Sequence, residues 1–322
     1  MPPYPTAKPT QILLLGAGEL GTAFLPHISS LPNTQITIGV RSPQNYPHLC
    51  SPTISLTAVD LTSPSPTLIP QFASYDILIS ATGFTSSPSS VTKLALEVLE
   101  AGKLRQEQGK ARLWFFPWQW GVDYDITRDR NGLMPLFGEQ QRVRDLLRTE
   151  AEQCGVQWTI VSTGVFMSFL FEPFWGIVGR PSQRDGVGEG GKEIVVRCLR
   201  DWEHGVTVTD AHDIGRVLKR ILAGDVRAEN RVLYVAGDSV RYRDLADVVE
   251  KVVGREVVRE AWGVEYLQEE LNKDPNDGIK KYRLVFAGDG VWWEKKRTVN
   301  HQLGMEMMDV ETYAKKLFGV QE

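Results

Sequence analysis

The chain has 322 residues, with 36 lysines and arginines against 40 aspartates and glutamates, for a formal net charge of -4. Hydrophobic residues make up 42% and charged residues 24%, values of an ordinary globular protein of about two domains. This excludes a disordered chain, a collagen and a disulfide scaffold, and argues against a nucleic-acid binder that works by bulk positive charge.

The first ten residues hold four prolines and read as a flexible arm, residues 1–10. Gln11-Ile-Leu-Leu-Leu15 is a short apolar run before glycines, the pattern of a buried parallel strand. Residues 19–31 form a helix, residues 35–40 a second strand and residues 53–61 a third. A Ser/Pro/Thr-rich loop over 62–70 follows, then a fourth strand over 75–80 that leads to Thr82-Gly83. A helix over 91–108, a strand over 111–116, a charged amphipathic helix over 139–153 and a strand over 158–162 complete the alternation. Strands alternating with helices, several of them continuously apolar, indicate a doubly wound parallel sheet of the Rossmann α/β class.

After Thr163 the pattern changes. Residues 164–178 are aromatic-rich and irregular, and Gly186-Val-Gly-Glu-Gly-Gly191 is a flexible loop. Val206-Thr-Val208 is a short strand before a helix ending at Leu222, Arg231 to Ala236 is another strand, and Tyr242 to Val253 a helix. The expected organisation is an NAD(P)-binding domain over 11–164 and a smaller α+β, substrate-binding region over 165–322. Segments near 205–236 of that region return to the sheet.

Gly16-Ala17-Gly18-Glu19-Leu20-Gly21 is G-x-G-x-x-G between a strand and a helix, the context in which this pattern signals a dinucleotide. Gly16 allows the tight turn, Gly18 lets the pyrophosphate approach the backbone, and Gly21 lets helix and strand pack closely. The helix N-terminus offers free N–H groups and the positive end of its dipole. The plain alternative is a glycine-rich turn that binds nothing. The second strand ends Val40-Arg41-Ser42, without the acid that would bind the ribose hydroxyls of NAD. Arg41 and Ser42 suit a 2′-phosphate and hence NADP(H), unless Arg41 is a solvated surface arginine. Thr82, Gly83 and Phe84 leave the fourth strand at the carboxyl edge, where they line the nicotinamide-ribose side or form a plain turn.

The only Tyr-x-x-x-Lys spacing, Tyr4 to Lys8, precedes the first strand and contains a proline, so the short-chain dehydrogenase dyad is absent. Beyond the fifth strand come Pro117-Trp118-Gln119-Trp120-Gly121-Val-Asp123, Phe137-Gly-Glu-Gln140-Gln-Arg142-Val143-Arg144 and Trp158-Thr-Ile-Val-Ser162-Thr163-Gly164-Val-Phe166. In order and spacing these segments resemble the NmrA-like and isoflavone-reductase-like atypical short-chain dehydrogenases. That family reads F-P-S-E-F-G-x-D, then F-x-x-K-x-x-V-R, then Y-T-x-V-x-x-N-x-F. Asp210-Ala-His-Asp-Ile-Gly215 is similar to its E-D-I-G segment, and Asn230 to Ala236 to its N-x-x-x-Y-L strand. The resemblance covers roughly residues 11–260 and implies a Rossmann fold, NADPH, and phenylpropanoid-like or other secondary-metabolite substrates.

Three departures matter. Gln140 stands where the family's reductases carry their acid/base lysine, and glutamine exchanges no proton at neutral pH. The family's P-S-E-F is Pro117-Trp118-Gln119-Trp120 here, and Leu15 occupies the first glycine position of its longer glycine loop. The resemblance therefore implies NADPH binding more firmly than catalysis by the family's route. Gln140 is expected on the nicotinamide side together with Pro117, orienting a carbonyl or a water. Arg142 as a clamp, or a hydroxyl of Tyr124 or Thr163, is the remaining candidate for handling charge, each with a structural role as the alternative.

Trp118, Trp120, Thr163, Phe166, Met167, Phe169 and Trp175 are expected to wall a flat apolar pocket, against the alternative of plain core packing. His204 reads as a solvated loop histidine rather than a catalytic acid. Three scattered cysteines and five scattered histidines show no metal-ligand spacing, so no metal is expected and a reducing compartment is. The N-terminus lacks the pattern of a signal peptide, and the most apolar stretch, Thr159 to Gly179, is interrupted at Glu172. A cytoplasmic protein is expected, engaging a small-molecule substrate and neither nucleic acid nor membrane, with a homodimer or a protein partner open. The leading reading is an NADPH-dependent reductase of a flat conjugated or aromatic small molecule. The alternatives are a non-catalytic NADP-sensing binding protein and a non-redox isomerase or cyclase.

Overall fold

The computed structural model describes residues 8–83, 87–179 and 193–320. The chain forms two compact units. One comprises Met1–Trp120, Gly138–Val161 and Ile214–Leu233; the other Gly121–Phe137, Ser162–Asp213 and Tyr234–Glu322.

The first unit is built on β1 (Thr10–Leu15), β2 (Thr34–Val40), β3 (Ile54–Ala58), β4 (Ile77–Ser80), β5 (Leu113–Phe116) and β6 (Val156–Ser162). These six strands pair in parallel. Every residue of β4 is buried, as are Ile12 to Leu15 of β1, because helices cover the sheet. Helices α1 (Glu19–Ile28), α2 (Ser65–Phe72) and α3 (Ser90–Glu107) lie between these strands in the chain. The short α4 (Tyr124–Thr127) and the longer α5 (Pro135–Glu150) precede β6.

The second unit holds β7 (Val165–Phe166), β8 (Val178–Gly179), β9 (Val195–Leu199) and β10 (Gly205–Thr209); α6 (Ala211–Leu222), which follows in the chain, belongs mostly to the first unit. The next strand, β11 (Arg231–Tyr234), joins the large sheet, whose order is β11-β6-β5-β4-β1-β2-β3. The order reverses between β1 and β4, and in such sheets ligands bind at the carboxyl ends on either side of that point. β12 (Asp238–Arg241) and β13 (Val258–Trp262) complete two three-stranded sheets, β12-β10-β7 and β13-β9-β8. Helices α7 (Tyr242–Val253), α8 (Val264–Lys273), α9 (Gly278–Phe286), α10 (Val299–Gln302) and α11 (Val310–Phe318) complete the chain. Phe171, Trp175, Tyr242, Val285 and Phe286 are buried in the core of this unit.

The stretch over 62–70, expected as a loop, contributes most of α2. Proline is tolerated in the first turn, where its missing N–H has no partner to lose. Leu68 and Phe72, four residues apart, are both buried, and that burial outweighs Pro70 inside the helix. The D-I-G segment has a structural account as well. A Cβ at Gly215 would sit 2.8 Å from the Ala23 carbonyl oxygen, so glycine lets α6 lie against α1. Asp213 is buried and accepts the Met308 N–H at 2.6 Å.

Candidate dinucleotide-binding site

The glycine loop leaves β1 and opens α1. Gly16 has φ +100, and a Cβ there would lie 2.6 Å from the Ala81 carbonyl oxygen, so the loops after β1 and β4 touch at this residue. A Cβ at Gly21 would lie 2.2 Å from the Gly16 carbonyl oxygen. Around Gly18 the same test finds no atom within 4 Å. Two of the three glycines are thus required by the protein's own packing, and the third faces open space. Gly18 also begins α1, with no side chain capping that end. The first N–H groups of a helix have no intrahelical acceptor, so this end can bind an anion. Ala17 is half-buried, Glu19 exposed in the first turn, and Leu20 buried.

Arg41 is exposed and Ser42 half-buried just past the end of β2. Asp60, after β3, accepts the Thr62 N–H at 2.9 Å and its hydroxyl at 2.8 Å. Those bonds, with a smaller contribution from the Arg41 charge, hold the Asp60 carboxyl below its ordinary range. Across the switch point Thr82 and Gly83 are half-buried, and Gly83 has φ +70. Phe84 and the glycine-rich loop over 186–191 lie outside the described residues.

The segment Pro117–Trp120 is fastened to α5 by three amide contacts. Gln140 Nε2 donates to the Trp118 carbonyl at 2.7 Å, Gln119 Nε2 donates to the Gln140 carbonyl at 2.8 Å, and Arg144 Nε donates to Gln119 Oε1 at 2.8 Å. Gln119, Gln140 and Arg144 are all buried. The Trp118 carbonyl can only accept, which fixes the Gln140 amide with its nitrogen toward it. Its Oε1 is then buried without a donor among the described residues. Gln140 lines a cavity of about 10 Å³ together with Ser80, Thr82, Ser90 and Trp118. That is close to the space of one water molecule. Trp120 is buried, donates its indole N–H to the Ser80 carbonyl at 2.8 Å and meets Phe24 edge-on.

Pro117 is buried and Trp118 half-buried. Arg142, with 63% of its side chain exposed, faces Glu139 at 3.9 Å on the solvated side of α5. In the second unit Tyr124 is buried and packs edge-on against Phe137. Thr163 is fully buried; its N–H bonds the Gly121 carbonyl at 2.9 Å, and its carbonyl accepts the Thr209 hydroxyl at 2.7 Å. Met167 and Trp175 belong to the core of this unit, whereas Phe166 and Phe169 are half-buried.

His204 differs from the expectation of a solvated histidine. It is buried, and its Nε2 lies 2.8 Å from the Phe286 carbonyl oxygen. Burial pushes its pKa down. The turn that carries it folds inward because Asp201 Oδ1 accepts the N–H groups of both Glu203 and His204.

Sequence reasoning missed the parts of Gln119 and Arg144, and the Asp123–Tyr234 bond, in which the phenol donates to Oδ2 at 2.6 Å. The signal was present. Gln119 occupies the glutamate position of the family's P-S-E-F, and Arg144 ends its V-R. Among the described residues no group of acids, histidines and cysteines has the geometry of a metal site, and no helix is long and apolar enough to cross a membrane.

A Rossmann sheet with a glycine loop at its switch point defines a dinucleotide-binding α/β class. Within that class the NmrA-like family model matches residues 16–300, and the chain belongs to that family. It is 34% identical over 319 residues to an NmrA-like family domain-containing oxidoreductase of Gibberella moniliformis (strain M3125 / FGSC 7600), covering 94% of this chain and 97% of the relative. Among solved structures it is similar to an isoflavone reductase, with a TM-score of 0.71 at 17% identity over 96% of this chain and 99% of that one. An NADPH-dependent quinone oxidoreductase of Escherichia coli, in complex with NADPH, gives a TM-score of 0.71 at 16% identity, covering 95% and 99% of the two chains. Both share the fold.

Proposed function

We propose that the chain is an NADPH-dependent reductase of a flat, conjugated or aromatic small molecule of secondary-metabolite type. The observation that carries this reading is the open space at Gly18, at the uncapped head of α1, beside two glycines locked by packing. That is the cradle a pyrophosphate needs. The 34% identical relative is named an oxidoreductase, and the Escherichia coli structure of this fold holds NADPH.

Bound NADPH supplies the hydride. Among the chain's own residues, the first amides of α1 hold the pyrophosphate, and Arg41 and Ser42 hold the 2′-phosphate. Thr82, Gly83 and Pro117 line the nicotinamide-ribose side. Gln140, a fixed amide with a buried free oxygen, accepts a hydrogen bond from a water or a ribose hydroxyl. It transfers no proton, so the proton that follows the hydride comes from water. Trp118 is only half-buried and supplies apolar contact to the substrate. Arg142, largely in solvent, is left to long-range electrostatics.

The test measures NADPH and NADH binding, then NADPH oxidation against a panel of enones, quinones and flavonoid-like compounds. The reading holds if NADPH is preferred and at least one conjugated acceptor is turned over. Equal affinity for the two cofactors ends it. The replacement of lysine by Gln140 favours one second reading, an NADP-sensing binding protein. Tight NADPH binding without turnover on the panel selects that reading. Substrate rearrangement without net NADPH oxidation selects the isomerase or cyclase.

A further inference from the structure

The second unit holds a cavity of about 380 Å³ that is separate from every residue assigned above, within the range of small-molecule pockets. Its wall comes from the turn before β10, from Arg241 at the head of α7, and from residues 288–292. Two large apolar side chains on this wall stay in solvent, Ile126 at 56% exposure and Trp292 at 43%. Glycines let the segments of this wall pack closely against one another. A Cβ at Gly205 would sit 2.8 Å from the Val240 carbonyl oxygen and 3.0 Å from the Trp292 ring, and Gly290 has φ +88.

The polar part of the wall balances in charge. It holds Arg200 and Arg241 against Glu203 and Asp289. Glu203 meets Arg241 at 3.0 Å and Arg243 at 2.6 Å, and Arg200 lies 3.1 Å from Asp201 and 3.4 Å from Asp289. Arg200 takes φ +73, a conformation that costs a residue with a side chain and tends to occur where function requires it. His204 completes the wall. The Phe286 carbonyl can only accept, so the proton of the neutral ring sits on Nε2 and Nδ1 remains an acceptor. Nδ1 has no partner among the described residues.

We propose that this cavity binds a zwitterionic α-amino acid with an aromatic side chain. Its carboxylate joins the guanidinium of Arg241 or Arg200, and its ammonium joins Glu203 or Asp289, with His204 Nδ1 as a further acceptor. Its ring lies on Trp292 and Ile126. A simple anion or cation answers only one sign of this wall, whereas a zwitterion meets both.

The experiment is calorimetric titration of the full chain with L-tryptophan, tryptamine and indole-3-propionate, the last two lacking the carboxylate and the ammonium. L-tryptophan should bind, and each analogue at least tenfold more weakly, the loss of one charge-assisted bond. Arg241→Ala and Trp292→Ala should each weaken L-tryptophan at least tenfold without changing NADPH affinity or the melting temperature of the free protein. The proposal is overturned if L-tryptophan gives no binding up to its solubility limit. It is equally overturned if either analogue binds as well as the amino acid, or if both well-folded variants bind it normally.

Discussion

Replacing Gly18 and Gly21 by alanine, one at a time, separates the two demands on the glycine loop. Gly18 has φ -79 and ψ -168, an extended conformation open to alanine, and its new methyl meets nothing within 4 Å. Stability should therefore stay within about 0.5 kcal/mol of the parent. The methyl takes the space where a pyrophosphate would approach the backbone. Losing one charge-assisted hydrogen bond there costs about 1.5–3 kcal/mol, roughly 10–150-fold in NADPH affinity. Gly21→Ala puts its methyl 2.2 Å from the Gly16 carbonyl oxygen, a backbone atom that cannot swing away. Forcing that contact apart costs about 1–3 kcal/mol of stability, a fall of roughly 2–12 °C in melting temperature. Thermal melts and NADPH titrations on both variants read the two effects. If Gly18→Ala binds NADPH like the parent, or melts as early as Gly21→Ala, the open space is not a phosphate cradle and the reasoning fails.

Arg41→Ala should weaken NADPH by about 1.5–3 kcal/mol and leave NADH almost unmoved; an equal loss for both would place the arginine elsewhere. Gln140→Ala should lower turnover with no change in the pH profile, since an amide does not titrate, and a shifted profile would reveal a proton-transfer role. Gln119→Leu removes the acceptor of buried Arg144 Nε and should destabilise the first unit by about 1.5–3 kcal/mol, read as a shift in urea midpoint. Burial holds the folded-state pKa of His204 below its ordinary value of 6.5. The unfolded chain therefore takes up this proton first, and stability should fall as pH drops below about 6.5, levelling off below the folded pKa. His204→Asn should reduce that acid-side loss, and an unchanged slope would show that the ring already carries charge in the folded protein.

Much of the first unit was legible without coordinates. Short apolar runs such as Ile12–Leu15 and Ile77–Ile79, bounded by turn residues, read as strands covered on both faces, and G-x-G-x-x-G between strand and helix marks the switch-point loop. These are local patterns, set by covalent geometry and by the period of burial. The helix over Ser65–Phe72 was hidden because its prolines and serines are turn formers, and only Leu68 and Phe72 meeting a core made it helical. Gln140 was named at its position, but its fixed amide, its orphan oxygen and its links to the Trp118 carbonyl and the Gln119 amide depend on groups about twenty residues away in the chain. His204 was misjudged for the same reason. The partner that accepts from its ring, the Phe286 carbonyl, lies 82 residues further along the chain. Periodicity and glycine spacing determine which elements form and where a dinucleotide loop lies. Which polar groups are buried, and with what partners, is decided only when the tertiary fold brings distant segments into hydrogen-bonding range.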